Sequence, residues 1–301
     1  MALSPNGKHL VLYRGEDRPV ALWDANRREV CWDFAVAARN TRTATFHPDG
    51  KTLLTVSEEG TPRLWNTLTG DLLEELPSVP ANFRAVAFAP DGHTMAVCQT
   101  DGRVRLRRQG DEPSWTDIPT IGEAVRDLAF SPDSRLVATL GQRGSIRLWN
   151  IESLACLRYV EDLVDATIMT FSPDGSRLAV GDMGGGIRLL VAGSVETRDC
   201  FTGHNQAILC QAFTPDGALL ATGSRDRTIR LWDTVIGQEL LTLEGHTGAV
   251  CQLRFTPDSA ALVSVGDGPN GTEVFHWNTG RTWAEQRDAT QTPGIETIRG
   301  R

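Results

Sequence analysis

A short proline-centred phrase returns seven times along the chain at nearly constant spacing, and that period constrains the fold more than any other feature. It runs LSPNG at 3–7, FHPDG at 46–50, FAPDG at 88–92, FSPDS at 130–134, FSPDG at 171–175, FTPDG at 213–217 and FTPDS at 255–259. The prolines Pro5, Pro48, Pro90, Pro132, Pro173, Pro215 and Pro257 lie 43, 42, 42, 41, 42 and 42 residues apart. Proline presets φ at the first corner of a turn, the Asp or Asn side chain caps it, and glycine accepts the left-handed position. Apolar residues alternate before the turn, as at Val86 and Phe88, and gather after it, as at Leu53, Leu54 and Val56. Each phrase therefore predicts a turn between two antiparallel strands, repeated at a period typical of stacked supersecondary units.

A second marker follows most of these prolines by 17 or 18 residues: LWD at 22–24, LWN at 64–66, LWN at 148–150, LWD at 231–233. The seventh unit has HWN at 276–278, while Arg107 and Leu190 replace the tryptophan in the third and fifth. Two units carry a Gly-His pair, Gly203–His204 and Gly245–His246, each His eleven residues before the next proline. Together these features resemble the WD40-repeat family over nearly the whole chain. The resemblance implies an all-β, seven-bladed β-propeller of four-stranded antiparallel blades, a single domain over residues 1–301. Propellers of this family usually complete one blade from both chain ends. Because the first unit begins with only Met1-Ala2-Leu3, residues 295–300 are expected to supply the inner strand of the first blade.

Composition bounds the function. A net charge of −8 and a pI near 5.3 give no footprint for nucleic acid, whose binding neutralises phosphates with Lys and Arg, nor for an anionic membrane surface. The six cysteines (Cys31, Cys98, Cys156, Cys200, Cys210, Cys251) are widely spaced without a C-x-x-C pair, as expected of reduced, mostly buried thiols in a cytoplasmic protein. His9, His47, His93 and His276 show no metal-ligand spacing, and neither a metal nor a cofactor is expected. The glycine-rich GDMGGG at 181–186 falls in a predicted hairpin and not before a helix, so it makes a poor phosphate loop.

In the sixth unit His204, Ser224, Asp226 and Trp232 suggest a nucleophilic triad at first sight. No nucleophile elbow accompanies them. The family resemblance implies instead a buried hydrogen-bond chain from the Trp indole through the hydroxyl to His and Asp, with His246, Ser264 and Trp277 repeating it in part.

Two sets of equivalent positions are candidates for partner binding. One comprises Glu16, Glu58, Thr100, Gln142, Met183, Arg225 and Gly266. The other, six residues before each proline, comprises Arg42, Arg84, Arg126, Thr167, Leu209 and Cys251. Three arginines on consecutive blades should converge near the channel mouth, where their repulsion is relieved by a carboxylate or phosphate, or internally by Asp127, Glu58 or Glu123. The expectation is a monomeric, non-catalytic scaffold that binds a protein or peptide, acidic or phosphorylated, through Arg42, Arg84 and Arg126 with Glu16, Glu58, Gln142 and Arg225. Two alternatives stand beside it: a sensory module of a longer signalling protein, such as a bacterial-type kinase, and a propeller-fold enzyme.

Overall fold

The computed structural model describes residues 2–12, 20–24, 27, 29–34, 41–78, 83–99, 101–110, 115–119, 123–269, 271–278 and 294–299. Among them every regular element is a β-strand, arranged as seven four-stranded antiparallel sheets, the blades of a β-propeller. Each blade draws its four strands from consecutive sequence. The inner strands are Ala2–Leu3, Thr41–Phe46, Phe83–Phe88, Val125–Phe130, Ala166–Phe171, Ile208–Phe213 and Ala249–Phe255. The third strands, which carry the tryptophan position, are Ala21–Asp24, Pro62–Asn66, Val104–Arg108, Ile146–Asn150, Ile187–Val191, Ile229–Asp233 and Gly271–Asn278.

The chain forms two compact units. One comprises Met1–Gln142 with Ile146–Leu157, the other Arg143–Ser145 with Arg158–Arg301. Within each unit, consecutive inner strands pack side by side: blades 1 to 4 in the first, blades 5 to 7 in the second. The second strands are the most deeply buried, because both of their faces meet neighbouring strands or sheets; Thr94–Gln99 and Leu219–Ser224 are buried throughout. The outer strands Leu72–Glu75 and Cys156–Val160 are largely exposed. Burial thus falls from the second strand outwards, as a radially stacked sheet requires.

The proline turn explains its own sequence. In blades 4 to 7 the Ser or Thr before the proline donates its hydroxyl to the turn Asp at 2.5 Å, in the pairs Ser131–Asp133, Ser172–Asp174, Thr214–Asp216 and Thr256–Asp258. The same Asp oxygen accepts a backbone amide two residues on, and the hydroxyl accepts the amide that starts the second strand. The Ser172 and Ser176 hydroxyls, both hydrogen-bonded to Asp174, lower its carboxyl to about 2. Residues closing the turn sit at positive φ in all seven blades. Five are glycine, from Gly50 at 68° to Gly92 at 75°, and two are serine, Ser134 at 59° and Ser259 at 56°.

Two expectations are corrected. Residues Gly294–Arg299 pair with Gly271–Asn278 as the outer strand of blade 7, with Ile298 opposite Val274 and Ile295 opposite Trp277. They do not supply the inner strand of blade 1; Ala2 and Leu3 do, opposite Val11 and Leu10. The free edge of Gly271–Asn278 is eight residues long and demands a full partner. The thiols are also less buried than expected: Cys98 and Cys210 are buried, Cys31 and Cys251 half-buried, Cys156 and Cys200 exposed.

Left-handed backbone strains any residue with a Cβ, so Ser259→Gly should stabilise the protein by up to about 1 kcal/mol in a denaturant melt. Ser134→Gly should gain less, because the Ser134 hydroxyl accepts the Asp91 amide of the preceding blade at 3.0 Å.

Candidate functional site

The hydrogen-bond chain of blade 6 is present, with a different hydroxyl at its centre. The Trp232 indole donates to Thr222 Oγ1 at 2.8 Å, and Thr222 Oγ1 lies 2.9 Å from His204 Nε2. His204 Nδ1 lies 2.8 Å from Asp226 Oδ2, which also accepts the Asn205 amide at 3.0 Å. The donors run consistently: indole to Thr222, Thr222 to an unprotonated Nε2, and protonated Nδ1 to the carboxylate. Burial opposes a charge on His204 and pushes its pKa below the usual histidine range, although Asp226 pulls the other way. Burial also raises the Asp226 carboxyl, but hydrogen bonds from the Thr228 hydroxyl and amide, Asn205 and His204 outweigh it and bring the group to about 2. A neutral imidazole beside an ionised carboxylate is therefore the resting state of this chain.

Ser224 takes no part in it. Its hydroxyl donates to the Gln206 carbonyl at 2.9 Å and accepts the Asp226 amide at 3.0 Å, so it braces the turn between the second and third strands. With His204 Nε2 directed to Thr222, Ser224 has no base and the apparent triad is a structural network.

The signal for Thr222 was in the repeat. Seven residues after the turn proline stand Thr55, Thr139, Thr222 and Ser264 in the blades whose tryptophans are Trp65, Trp149, Trp232 and Trp277. Every one of these indoles donates to its hydroxyl, at 2.7, 3.0, 2.8 and 2.8 Å. Where Arg107 and Leu190 replace the indole, the partner position is Val97 or Val180. In these six blades hydroxyl and indole are kept or lost together, because either alone is a buried unpaired polar group; blade 1 departs from the rule, with Leu12 at the hydroxyl position of Trp23. In blade 7 His246 reaches Ser264 at 2.7 Å, and Glu273 takes the carboxylate role at 3.3 Å. Glu273 was hidden from the motif because it comes from the third strand, not the preceding turn.

The second set of candidate positions has a common backbone geometry. In every blade from 2 to 7 the inner strand slips register at one residue, which is left without a partner in the ladder. The slips fall between Thr41 and Thr43, between Phe83 and Ala85 opposite Gln99 and Cys98, and between Val125 and Asp127. In the second unit they fall between Ala166 and Ile168, Ile208 and Cys210, and Val250 and Gln252. The bulged residues are therefore Arg42, Arg84, Arg126, Thr167, Leu209 and Cys251, the six read from the sequence. A bulge breaks the strict in-and-out alternation of a strand and re-aims the residue it carries. The side chains of Arg42 and Arg84 lie outside the described residues. Arg126 is half-buried, and Glu123 pairs with Arg147 at 3.2 Å.

Of the first set, Glu58, Gln142, Met183 and Arg225 follow the second strands of their blades, while Gly266 lies within the second strand Ala261–Gly268 and is buried. Glu58, Gln142 and Arg225 are exposed, while Glu16 and Thr100 lie outside the described residues. The amides of Gln142, Met183 and Arg225 donate to Ala124, Asp165 and Ala207, each just ahead of the inner strand of the same blade. That bond brings the Gln142 turn against the segment leading into Arg126. It does the same for Arg225 and Leu209 in the second unit.

Among the described residues one trio could hold a metal: His9, Asp24 and Cys31 of blade 1, whose ligand atoms lie within 4.8 Å of one another. Asp24 already accepts the Arg27 amide through Oδ1, the turn-capping bond that Asn66, Asn150 and Asp233 make in their own blades.

The family described as "WD domain, G-beta repeat" matches the chain at residues 38–66, 75–107, 117–150, 195–233 and 237–268, together more than half of its length. One unmatched stretch, 151–194, contains the first three strands of blade 5, where Leu190 stands in for the tryptophan. No match was found among curated proteins.

Removing the Thr222 hydroxyl strands both an indole N–H and an imidazole nitrogen in a buried site. Thr222→Val should therefore cost about 3 kcal/mol in chemical denaturation. Ser224→Ala should cost about 1 kcal/mol. Equal losses would show that the two hydroxyls share the central role.

Proposed function

The chain belongs to the WD40-repeat family, and from that premise we propose that it is a non-catalytic interaction module that binds an acidic or phosphorylated segment of a partner protein in the cytoplasm. Propellers of this family commonly mediate protein–protein interaction. The observation that carries the finer reading is the run of arginines at the bulge of three consecutive inner strands, Arg42, Arg84 and Arg126. The equivalent bulges of the second unit carry Thr167, Leu209 and Cys251, so the cationic set is confined to one unit.

The energetics favour an anionic partner. Arginines at equivalent positions of three adjacent strands make a cationic set in a protein whose net charge is −8, and like charges repel wherever they approach. A carboxylate or phosphate relieves that repulsion and takes the planar fork in two hydrogen bonds at once. Glu58 and Gln142, exposed in the turns of blades 2 and 4, would add contacts at the margin. Residues that hold the fold, such as Thr222 and the turn aspartates, are spent on internal hydrogen bonds and offer little to a partner.

The Arg42→Ala/Arg84→Ala/Arg126→Ala variant should melt within about 2 °C of the parent, because the substitutions leave the paired residues of the inner-strand ladders unchanged. In an affinity capture from native lysate it should lose partners that the parent retains. Binding by the parent should also weaken as salt is raised. Identical partners for both proteins would refute the arginine site.

A further inference from the structure

The tryptophans do a second job, across blades. Four of the third-strand indoles share a buried cluster with the residue that closes the outer strand of the blade before: Trp65 with Phe34, Trp149 with Ile118, Trp232 with Phe201, Trp277 with Leu243. Phe34 and Trp65 have ring centroids 5.5 Å apart, and Phe201 and Trp232 stack at 5.6 Å. The equivalent pair between blades 2 and 3 is Leu76 and Arg107, at the same 31-residue separation as Phe34 and Trp65. Here the indole is missing.

What stands in its place is a cavity of about 640 Å³, bordered by Leu64, Leu73 and Leu76 of blade 2 and by Phe88, Met95 and Arg107 of blade 3. All six residues belong to one compact unit. Polar side chains line it as well, among them Asp49 and Thr52 of blade 2 and His93 and Gln109 of blade 3, so the space offers apolar surface together with polar partners. Trp115 packs on the same apolar cluster and donates to the Pro77 carbonyl at 3.2 Å, but it does not line the cavity. Arg107 reaches across to Glu74 at 3.3 Å, and its Nε is buried without a hydrogen-bond partner. Leu73, on the open side, is 55% exposed.

We propose that this lateral cavity between blades 2 and 3 binds an aromatic side chain, tryptophan above all, presented by a partner polypeptide. The four other interfaces state what fits such a space, since each is filled by an indole on the same framework. The polar lining favours a peptide over a free ring. Arg107 Nε needs an acceptor and Glu74 can take a donor, and the backbone beside an aromatic residue offers both. The guanidinium also presents a cation to the ring. The site is separate from the bulge arginines. It rests on the reading of the propeller as an interaction module only for the source of its occupant.

The test is methyl NMR of the full chain titrated with acetyl-Gly-Trp-Gly-amide, with the leucine analogue and with indole. The tryptophan peptide should shift the methyls of Leu64, Leu73, Leu76 and Met95 saturably, at least fivefold more tightly than the leucine peptide. Arg107→Trp together with Val97→Thr, the pair that Trp65 and Thr55 form in blade 2, should refill the space with its indole paired, hold the melting temperature and abolish the shifts. If that variant fails to fold, Arg107→Leu, for which Leu190 over Val180 is the protein's own precedent, removes the guanidinium and should weaken the tryptophan peptide at least fivefold; unchanged affinity would overturn the role of Arg107 in the site. The proposal is overturned by no saturable shift at these methyls, by equal affinity for leucine, or by shifts that survive refilling. Binding of indole with exclusion of the peptide would overturn the polypeptide source. Because the probe reads the cavity directly, its result is independent of whether the arginine variant loses partners.

Discussion

A four-stranded sheet has two faces to bury and cannot bury either within itself, so each blade of this protein depends on its neighbours for a core. The contact that meets this demand joins the third strand of one blade to the end of the outer strand before it, indole on Phe34, Ile118, Phe201 or Leu243. A buried indole gains apolar contact but brings an N–H that must be paired. Thr55, Thr139, Thr222 and Ser264 pair it from the adjacent second strand. In blades 6 and 7 the same hydroxyl extends the chain to His204 and His246, and so to Asp226 and Glu273. One requirement, closing the space between sheets without stranding a donor, accounts for most of the repeat's fixed residues.

That logic also explains where the repeat departs from itself. Val97 beneath Arg107 and Val180 beneath Leu190 are not independent losses: without an indole, a hydroxyl at that depth would lack its donor. Blade 3 keeps its framework and leaves a cavity beside blade 2. The bulges have a different logic. They recur in every blade from 2 to 7 but hold Arg, Arg, Arg, Thr, Leu and Cys, so the backbone fixes the geometry while the residue is free to vary. Thr167 uses its freedom internally, donating to the Ile208 carbonyl at 2.8 Å.

Much of this was legible in the sequence, because turns and strand alternation are local. The proline phrase gave the number of blades, and the positive φ at its last residue was readable from five glycines. The position six residues before each proline was readable as a set, though not as a bulge, since a register slip depends on the partner strand. Thr222 was missed in favour of Ser224 because both are hydroxyls near the same Asp, and only strand pairing shows that Thr222 stands opposite Arg230 beneath the indole. The placement of 295–300 failed for a similar reason. Its apolar pattern fits any propeller strand, and which edge it joins is decided by the eight-residue strand Gly271–Asn278. The cavity at Arg107 was invisible, because the residue that should fill it comes from the next repeat.

The central claim is that a fixed framework carries a variable binding surface at the inner-strand bulges, and hydrogen exchange on the captured complex tests it most directly. The account predicts that partner binding slows exchange around residues 41–43, 83–85 and 125–127 and leaves the buried second strands Thr94–Gln99 and Leu219–Ser224 unchanged. Protection confined to the second unit, with none at the three arginine bulges, would contradict it.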